Sequence, residues 1–141
     1  MPKSKTPAGC PCGGPSLDSC CGPFLSGATV PQAAEQLMRS RYTAYTLGNE
    51  PYLLATWHSS TRPAEKIINP DERLQWLGLE VKSALRLRQR KVNEGEDFVE
   101  FVARCRIGGK GQRLHEVSRF LREADEHGVL RWYYVDGQFP E

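Results

Sequence analysis

The chain has 141 residues, a length typical of one ordinary domain with a single hydrophobic core. Its 19 Lys and Arg residues nearly balance its 17 Asp and Glu residues, so the overall charge favours neither a nucleic-acid nor a membrane partner. The amino terminus, MPKSKTPAGC, lacks the apolar run of a signal peptide, and no stretch approaches the roughly 20 apolar residues that span a bilayer. We therefore expect a cytoplasmic protein.

A cysteine cluster dominates residues 1–27, which contain many Pro, Gly and Ser residues and too few large apolar ones to build a core. Cys10, Cys12, Cys20 and Cys21 lie within twelve residues, and in a reducing compartment such a cluster more often binds metal than forms disulfides. Four thiolates match the closed shell of a structural zinc ion, although this spacing is not that of a finger or ribbon. The alternative is a disordered, oxidation-prone tail.

Residues 29–48 have the periodicity of an amphipathic helix. Thr29 is placed to cap it, Pro31 suits its first turn, and Gly48 supplies a left-handed exit. A shorter helix is expected from Pro51 onward, and the two together need a sheet to cover their aromatic side. The face of the first helix consists of Ala34, Leu37, Met38, Arg41, Tyr42 and Tyr45.

The helices carry most of the candidate pocket residues. Tyr42, Tyr45 and Trp57 are either walls of a ligand pocket or ordinary core under the sheet. His58, at the end of the short helix, either serves as a base or bonds a carbonyl group. We expect the two arginines of the first helix to pair with carboxylates or reach water rather than clamp an anionic ligand.

The remainder of the chain alternates as strands do. In the first strand, residues 77–88, Leu77, Leu79 and Val81 are expected to face inward, while Lys82 begins a basic outer face. The glycine-rich segment 108–111 joins two strands, so we interpret it as a hairpin turn rather than a phosphate-binding loop. The other expected elements are a very short helix at residues 69–72, a hairpin connection at residues 93–97, and strands at residues 98–107, 112–125 and 129–139.

The strand at residues 112–125 has mixed faces and is the best source of polar pocket groups. His115 and Glu116 cannot both point inward in a regular strand. We select Glu116, because its parity places it with Leu114 and Phe120. His115 is the alternative.

Several blocks carry a resemblance to known proteins. CPCGGPSLDSCCGP resembles the SEC-C zinc motif at the carboxyl end of the SecA translocation ATPase, while LMRSRYTAY and YLLATWHSSTRP resemble signature blocks of the bacterial YchJ family. The resemblance implies that Cys10, Cys12, Cys20 and Cys21 are zinc ligands. It also implies an α+β fold, a nuclear transport factor 2-like cone in which amino-terminal helices close over a curved antiparallel sheet of about four strands. The expected division is a zinc knuckle at residues 1–27 and the cone at residues 28–141.

The family resemblance implies no activity, so two hypotheses are carried forward. The first is a non-enzymatic binding or adaptor module, in which the zinc segment contacts a protein partner and the cone either holds a small apolar ligand or is simply a scaffold. The second is a small enzyme similar to ketosteroid isomerases and dehydratases, with a pocket Glu or His as general acid or base. A pocket in which Glu116 or His115 meets a tyrosine or His58 would discriminate between them.

Overall fold

A computed structural model describes residues 10–13, 16–17, 20–64, 74–82 and 95–138. Within these residues, three helices precede a four-stranded antiparallel sheet whose strand order follows the chain, β1-β2-β3-β4. The predicted α+β class, with helices packed on a curved antiparallel sheet, is confirmed. The elements are α1 (Gly22–Ser26), α2 (Ala34–Leu47), α3 (Glu50–Ala55), β1 (Leu74–Val81), β2 (Glu96–Ile107), β3 (Lys110–Ala124) and β4 (Leu130–Gln138).

The central helix α2 begins later than its sequence suggests. The prediction that Thr29 caps it was wrong, because the first helical residue is Ala34. The Gln36 side chain folds back instead, and its Oε1 accepts hydrogen bonds from the backbone N–H groups of Gln32 (2.7 Å) and Ala33 (3.1 Å). A side chain within the helix thus satisfies amide groups that precede it, as in a capping box.

The carboxyl end of α2 and the start of α3 follow the prediction. Gly48 has φ 71°, and the N–H of Asn49 reaches back to the carbonyl of Ala44 at 2.8 Å. The Asn49 side chain then accepts from the N–H of Tyr52, with Pro51 in the first turn of α3. One short sequence therefore ends one helix and caps the next.

The core lies between α2 and the concave face of the sheet. Leu37 and Met38 from the helix are buried with Phe101 from β2 and Phe120 from β3. The opposite side of α2 is buried as well, because Ser40, Thr43 and Ala44 are each 0% exposed. That side faces α3 and the cysteine cluster, so α2 is enclosed almost all round.

A bulge in β1 changes which side chains face the core. The register with β2 shifts between Trp76 and Gly78, so Leu77 points outward and is 48% exposed. The expectation that Leu77 faces inward was therefore wrong, whereas Leu79 and Val81 do pack against the core. Trp76 takes the inward place, with its ring edge-on to Tyr42 at 5.4 Å. An inserted residue reverses the alternation locally, and sequence parity cannot reveal it.

The turn between β2 and β3 is a tight hairpin, as predicted for the glycine-rich segment. Gly108 and Gly109 have φ values of 57° and 88°, and the strands pair from Ile107–Lys110 onward. Val99, Phe101, Ala103 and Cys105 are buried along β2, whereas Ile107, at the end of the same alternating row, is 41% exposed. The predicted helix at residues 69–72, residues 83–88 of the first predicted strand and residues 93–94 of the predicted connection lie outside the described residues.

The segment after α3 covers the outer edge of β4. The N–H of His58 donates to the carbonyl of Tyr134 at 2.7 Å, and the N–H of Tyr134 donates to the carbonyl of Thr56 at 2.8 Å. The Thr61 hydroxyl adds a bond to the carbonyl of Val135 at 2.6 Å. These contacts satisfy the strand edge and fix the end of α3 beside the sheet. Among the described residues, no helix is long and apolar enough to cross a membrane.

Candidate metal centre and cavity

The four amino-terminal cysteines converge on one point. Their Sγ atoms all lie within 4.8 Å of one another, with 3.5 Å from Cys12 to Cys20, 3.6 Å from Cys21 to Cys12 and 3.9 Å from Cys20 to Cys21. A tetrahedral shell with zinc–sulfur bonds of about 2.3 Å has edges of ~3.8 Å. The donor set and its dimensions therefore fit a four-sulfur metal site.

Two glycines shape the backbone of this cluster. Gly13 has φ 102° and its N–H donates to the carbonyl of Cys10, which closes a turn between the first two cysteines. The N–H of Gly22 donates to the carbonyl of Leu17 at 2.7 Å, and a Cβ at Gly22 would lie 2.7 Å from that same oxygen. Any side chain at position 22 would therefore push α1 away from the loop that carries Cys20.

The cysteine cluster is attached to α2 by hydrogen bonds. The Thr43 hydroxyl donates to Cys21 Sγ at 3.3 Å and lies 3.5 Å from Cys10 Sγ, while Arg39 donates to the carbonyl of Cys12 at 3.0 Å. A hydroxyl that donates to a ligand sulfur stabilises its thiolate form. Arg39 also pairs with Glu35 at 2.9 Å, as expected for an exposed helix arginine. The boundary after residue 27 stays a prediction.

Without metal, the thiols hold their protons tightly. Burial, aided by the Cys12 thiol, raises the pKa of Cys20 to about 11 from an ordinary value of 9.0. The hydrogen bond with Cys12, together with burial, also raises the pKa of Cys21. Metal binding must therefore displace these protons, so metal affinity should weaken as the pH falls.

The raised pKa of Cys20 predicts a pH dependence for the metal-free, reduced protein. The folded state binds the proton more tightly than the unfolded state, so this contribution to stability is complete below pH 9.0 and is lost as the pH rises through about 11. Urea unfolding at about pH 8 and about pH 10 should show the loss in the metal-free form only, since metal-bound thiolates carry no protons. Equal losses of stability in the metal-free and metal-bound forms would contradict this prediction.

A cavity of about 260 Å³ lies between α2 and the concave face of the sheet. Its walls are mainly aromatic and aliphatic, with a few polar groups, which is the usual composition of small-molecule sites. The residues that line it are Met38, Arg41, Tyr42, Tyr45, Trp76, Phe101, Ala103, Leu114, Glu116, Ser118, Phe120 and Tyr134.

Glu116 is the acidic group of the cavity wall. Its Oε2 accepts hydrogen bonds from the Ser118 hydroxyl at 2.6 Å and from the Tyr134 hydroxyl at 3.2 Å. Gly137 on β4 makes room for it, because a Cβ there would lie 2.8 Å from Cγ of Glu116 and closer still to its carboxylate. Burial, with Glu116 close by, raises the pKa of Tyr134, so its phenol is a neutral donor.

Arg41 is the cationic group of the same wall and is only 6% exposed. Its Nη1 donates to the carbonyl of Leu53 at 2.8 Å and to the hydroxyl of Thr56 at 2.7 Å. Its guanidinium also lies 5.1 Å from the ring centre of Trp57 and 4.7 Å from that of Tyr134. Burial lowers the pKa of Arg41, but an arginine remains protonated. Arg41 therefore joins α2, α3 and β4 beside the cavity.

The residues selected from the sequence divide between the cavity and its surroundings. Tyr42, Tyr45 and Glu116 lie in the wall. Trp57 is not among the lining residues, since its ring packs edge-on against Tyr134 at 5.1 Å. His58 is also outside the wall. Its Nδ1 accepts from the N–H of Ser60, and its Nε2 lies 2.9 Å from a carboxylate oxygen of Glu123 on β3 but makes no hydrogen bond within the described residues.

His115 lies on the opposite face of the sheet from the cavity. Its Nε2 contacts Glu100 on β2 at 2.6 Å, and both carboxylate and ring are largely buried. Val102, which pairs with His115 across the strands, is fully buried. Both faces of the β2–β3 pair are therefore covered at this point.

Sequence reasoning did not select several residues of the cavity wall and its support, among them Arg41, Tyr134 and Gly137. Arg41 was expected to pair with a carboxylate or reach water, but the end of α3 takes up its hydrogen bonds. Tyr134 was only one of several aromatics on its strand, and Gly137 was a glycine within a predicted strand. A glycine within a strand can mark a close approach of another group, which was the available clue.

Gly137→Ala should displace the Glu116 side chain, because the new methyl group would overlap its carboxylate. We expect a loss of about 1–3 kcal/mol in the free energy of unfolding, measured with urea. Gly111→Ala on β3 is the matched control, since its Cβ would meet nothing within 4 Å. The control should stay within about 0.5 kcal/mol of the parent. Equal effects of the two variants would contradict the close approach.

Helices closing over a curved antiparallel sheet, a cavity between them and a preceding four-cysteine cluster define the class of the protein. It is a nuclear transport factor 2-like domain with an amino-terminal cluster of four cysteines. The chain belongs to the YchJ family, since residues 33–137 match the family model described as "YchJ, middle NTF2-like domain". The resemblance found in the sequence is thereby confirmed.

Relatives and solved structures agree with this assignment. A UPF0225 protein from Chromobacterium violaceum is 51% identical over 137 residues, which cover 96% of each chain. One from Cupriavidus metallidurans is 48% identical, with coverage of 96% of this chain and 92% of the other. A SEC-C motif containing protein from Rhodopseudomonas palustris has a TM-score of 0.65 at 29% identity, covering 94% and 99%. Another, from Psychrobacter arcticus, shares the fold with a TM-score of 0.71 at 23% identity, covering 94% and 83%.

Proposed function

We propose that the protein is a binding module, with a structural zinc ion in its cysteine cluster and a small, largely apolar ligand in its cavity. The observation that carries the ligand-binding proposal is the position of Glu116. Burying a carboxylate in a core that makes no other use of it would cost free energy. Glu116 instead borders an aromatic cavity of about 260 Å³, where it can contact a ligand. SEC-C motifs bind zinc, and the cluster dimensions support the same ion here.

Native mass spectrometry of the purified protein tests the ligand proposal. The wild type should carry a small-molecule adduct that Ala103→Leu loses, because Ala103 is 1% exposed in the cavity wall and the larger side chain fills the space. Ala124→Leu, at the exposed end of β3, is the control and should retain the adduct. If Ala103→Leu held the adduct as well as the wild type does, the adduct would bind outside the cavity. A ligand-free spectrum, together with no saturable binding of small aromatic probes, would contradict the proposal.

A second candidate is an acid–base enzyme, favoured by the contact between Glu116 and the Tyr134 hydroxyl at 3.2 Å. In this function Glu116 accepts a proton from carbon next to a carbonyl group and Tyr134 donates to the carbonyl oxygen. An enolisable bicyclic ketone such as 2-tetralone should then exchange its α-protons for deuterium in the presence of the protein, as followed by NMR. Glu116→Gln should abolish the exchange if the enzyme reading is correct. A binding-only module should give no exchange above buffer.

A protein partner for the zinc segment and a cytoplasmic location remain proposals. The zinc segment would contact its protein partner from the side away from α2, because Cys10, Cys12 and Cys21 are buried and Cys20 is partly exposed. Loss of a partner on deletion of that segment, in pull-downs from the native host, would be the expected result.

A further inference from the structure

The charges of the cavity wall restrict the kind of ligand it accepts. Among the described lining residues, Arg41 and Glu116 carry opposite charges. Burial raises the pKa values of Tyr42, Tyr45 and Tyr134, so these phenols stay neutral at neutral pH. The wall therefore has no net charge. A charged ligand would bring an unpaired charge into an apolar cavity, which is strongly unfavourable.

The hydrogen bonds of the wall leave an acceptor position for a ligand at Glu116. Both hydroxyl donors, from Ser118 and Tyr134, reach Oε2 of Glu116, and among the described residues Oε1 receives no hydrogen bond. A carboxylate has about four lone-pair positions for donors. A ligand that donates to Glu116 thus completes its hydrogen bonding, whereas a pure hydrocarbon leaves it incomplete.

The size and shape of the cavity set the remaining limits. A cavity of about 150 Å³ holds benzene with its six carbon atoms, so about 260 Å³ suits a ligand of about ten non-hydrogen atoms. Tyr42 and Trp76 line it with their rings in an edge-to-face arrangement, at 73° between the ring planes. Such walls favour a flat molecule, because an aromatic ring of the ligand can pack against both a ring edge and a ring face.

Resting on the proposed binding function, we infer that the ligand is a neutral, flat molecule of about ten non-hydrogen atoms that donates a hydrogen bond to Glu116. Neutral bicyclic molecules with one hydroxyl or N–H group belong to this class. The apolar body fills the aromatic part of the cavity, and the donor group lies at the end formed by Ser118 and Tyr134.

Four probes that share the naphthalene ring system test this inference on the full chain. They are 2-naphthol as the neutral donor, naphthalene without a polar group, 2-naphthoate as the anion and 2-naphthylmethylammonium as the cation. Binding is followed at neutral pH by ligand-observed NMR. We expect 2-naphthol to bind at least about tenfold more tightly than each of the others, because it alone satisfies Glu116 without adding charge.

Glu116→Gln gives a second test of the same assignment. It removes the negative charge with little change of shape, so the wall becomes net positive. The affinity for 2-naphthol should fall about tenfold and that for 2-naphthoate should rise. Glu126→Gln is the matched control, since the Glu126 side chain is 87% exposed in the turn before β4, and it should change neither affinity. Near-ultraviolet circular dichroism verifies that each variant is folded.

The outcomes separate this inference from the function on which it rests. Binding of a charged probe as tightly as 2-naphthol to the wild type would overturn the neutral ligand but leave the binding function intact. Equal affinities for naphthalene and 2-naphthol would overturn the role of Glu116 as acceptor. Saturable binding of none of the four probes would overturn both proposals. Should Glu116→Gln not fold, the ranking of probes on the wild type alone decides.

Discussion

Replacing Cys20 with serine is expected to release one zinc ion per chain and to destabilise the whole domain. A closed four-sulfur shell loses its geometry with one ligand, and three of the four cysteines are buried against the core. Zinc present at a thousandfold excess over its Kd stabilises the folded state by ~4 kcal/mol, which is the loss we expect. Elemental analysis of protein prepared without chelator and urea unfolding measure the two effects.

Cys105→Ala is the matched control for the zinc prediction. Cys105 is also buried, but it lies on β2 and does not belong to the cluster of four. The control should keep stoichiometric zinc even if it loses some packing energy. Wild-type protein without stoichiometric metal, or prompt reaction of all four cluster thiols with a thiol reagent in the native state, would refute the zinc site.

Arg41→Ala should be the most damaging single change in the cone. It deprives the Leu53 carbonyl of its charged donor, removes the cation between the rings of Trp57 and Tyr134, and leaves Glu116 without a nearby positive charge. Removing one member of a buried group of charges costs about 3–5 kcal/mol, so we expect a loss of that size in the free energy of unfolding.

Two further variants define the reason for that loss. Arg106→Ala removes an exposed arginine from β2 and should change stability by less than about 0.5 kcal/mol. Arg41→Lys keeps the charge but loses the planar fork, so we expect a value between the other two. A loss below about 1 kcal/mol for Arg41→Ala would mean that water replaces its contacts and that the cation does not join α3 to the sheet.

The sequence determined the elements whose signals are local. Four cysteines at close spacing, the helical period of α2, the glycine exit at Gly48 and the alternation along β2 each depend on neighbours in the chain. For the same reason the glycine pair between β2 and β3 was correctly predicted as a hairpin. These features required no knowledge of what packs against them.

Local signals failed where two choices were both chemically reasonable. Thr29 was predicted to cap α2, but the helix begins at Ala34 and the Gln36 side chain satisfies the amide groups before it. The bulge at Leu77 places Trp76, rather than Leu77, on the core face of β1. There the ring of Trp76 packs edge-on against Tyr42. Assigning faces from odd and even positions assumes a regular strand, and a single extra residue makes that assumption invalid.

The cavity depended wholly on the tertiary structure. Glu116 was selected from parity, but its place beside the cavity requires the missing side chain of Gly137 and the hydroxyl of Tyr134, twenty-one and eighteen residues away. Arg41 lies in the wall because the end of α3 supplies its acceptors, whereas backbone hydrogen bonds hold the segment with Trp57 and His58 at the edge of β4. Periodicity tells which residues share a face of one element. Which side chains of different elements meet depends on long-range packing, and no local pattern encodes that.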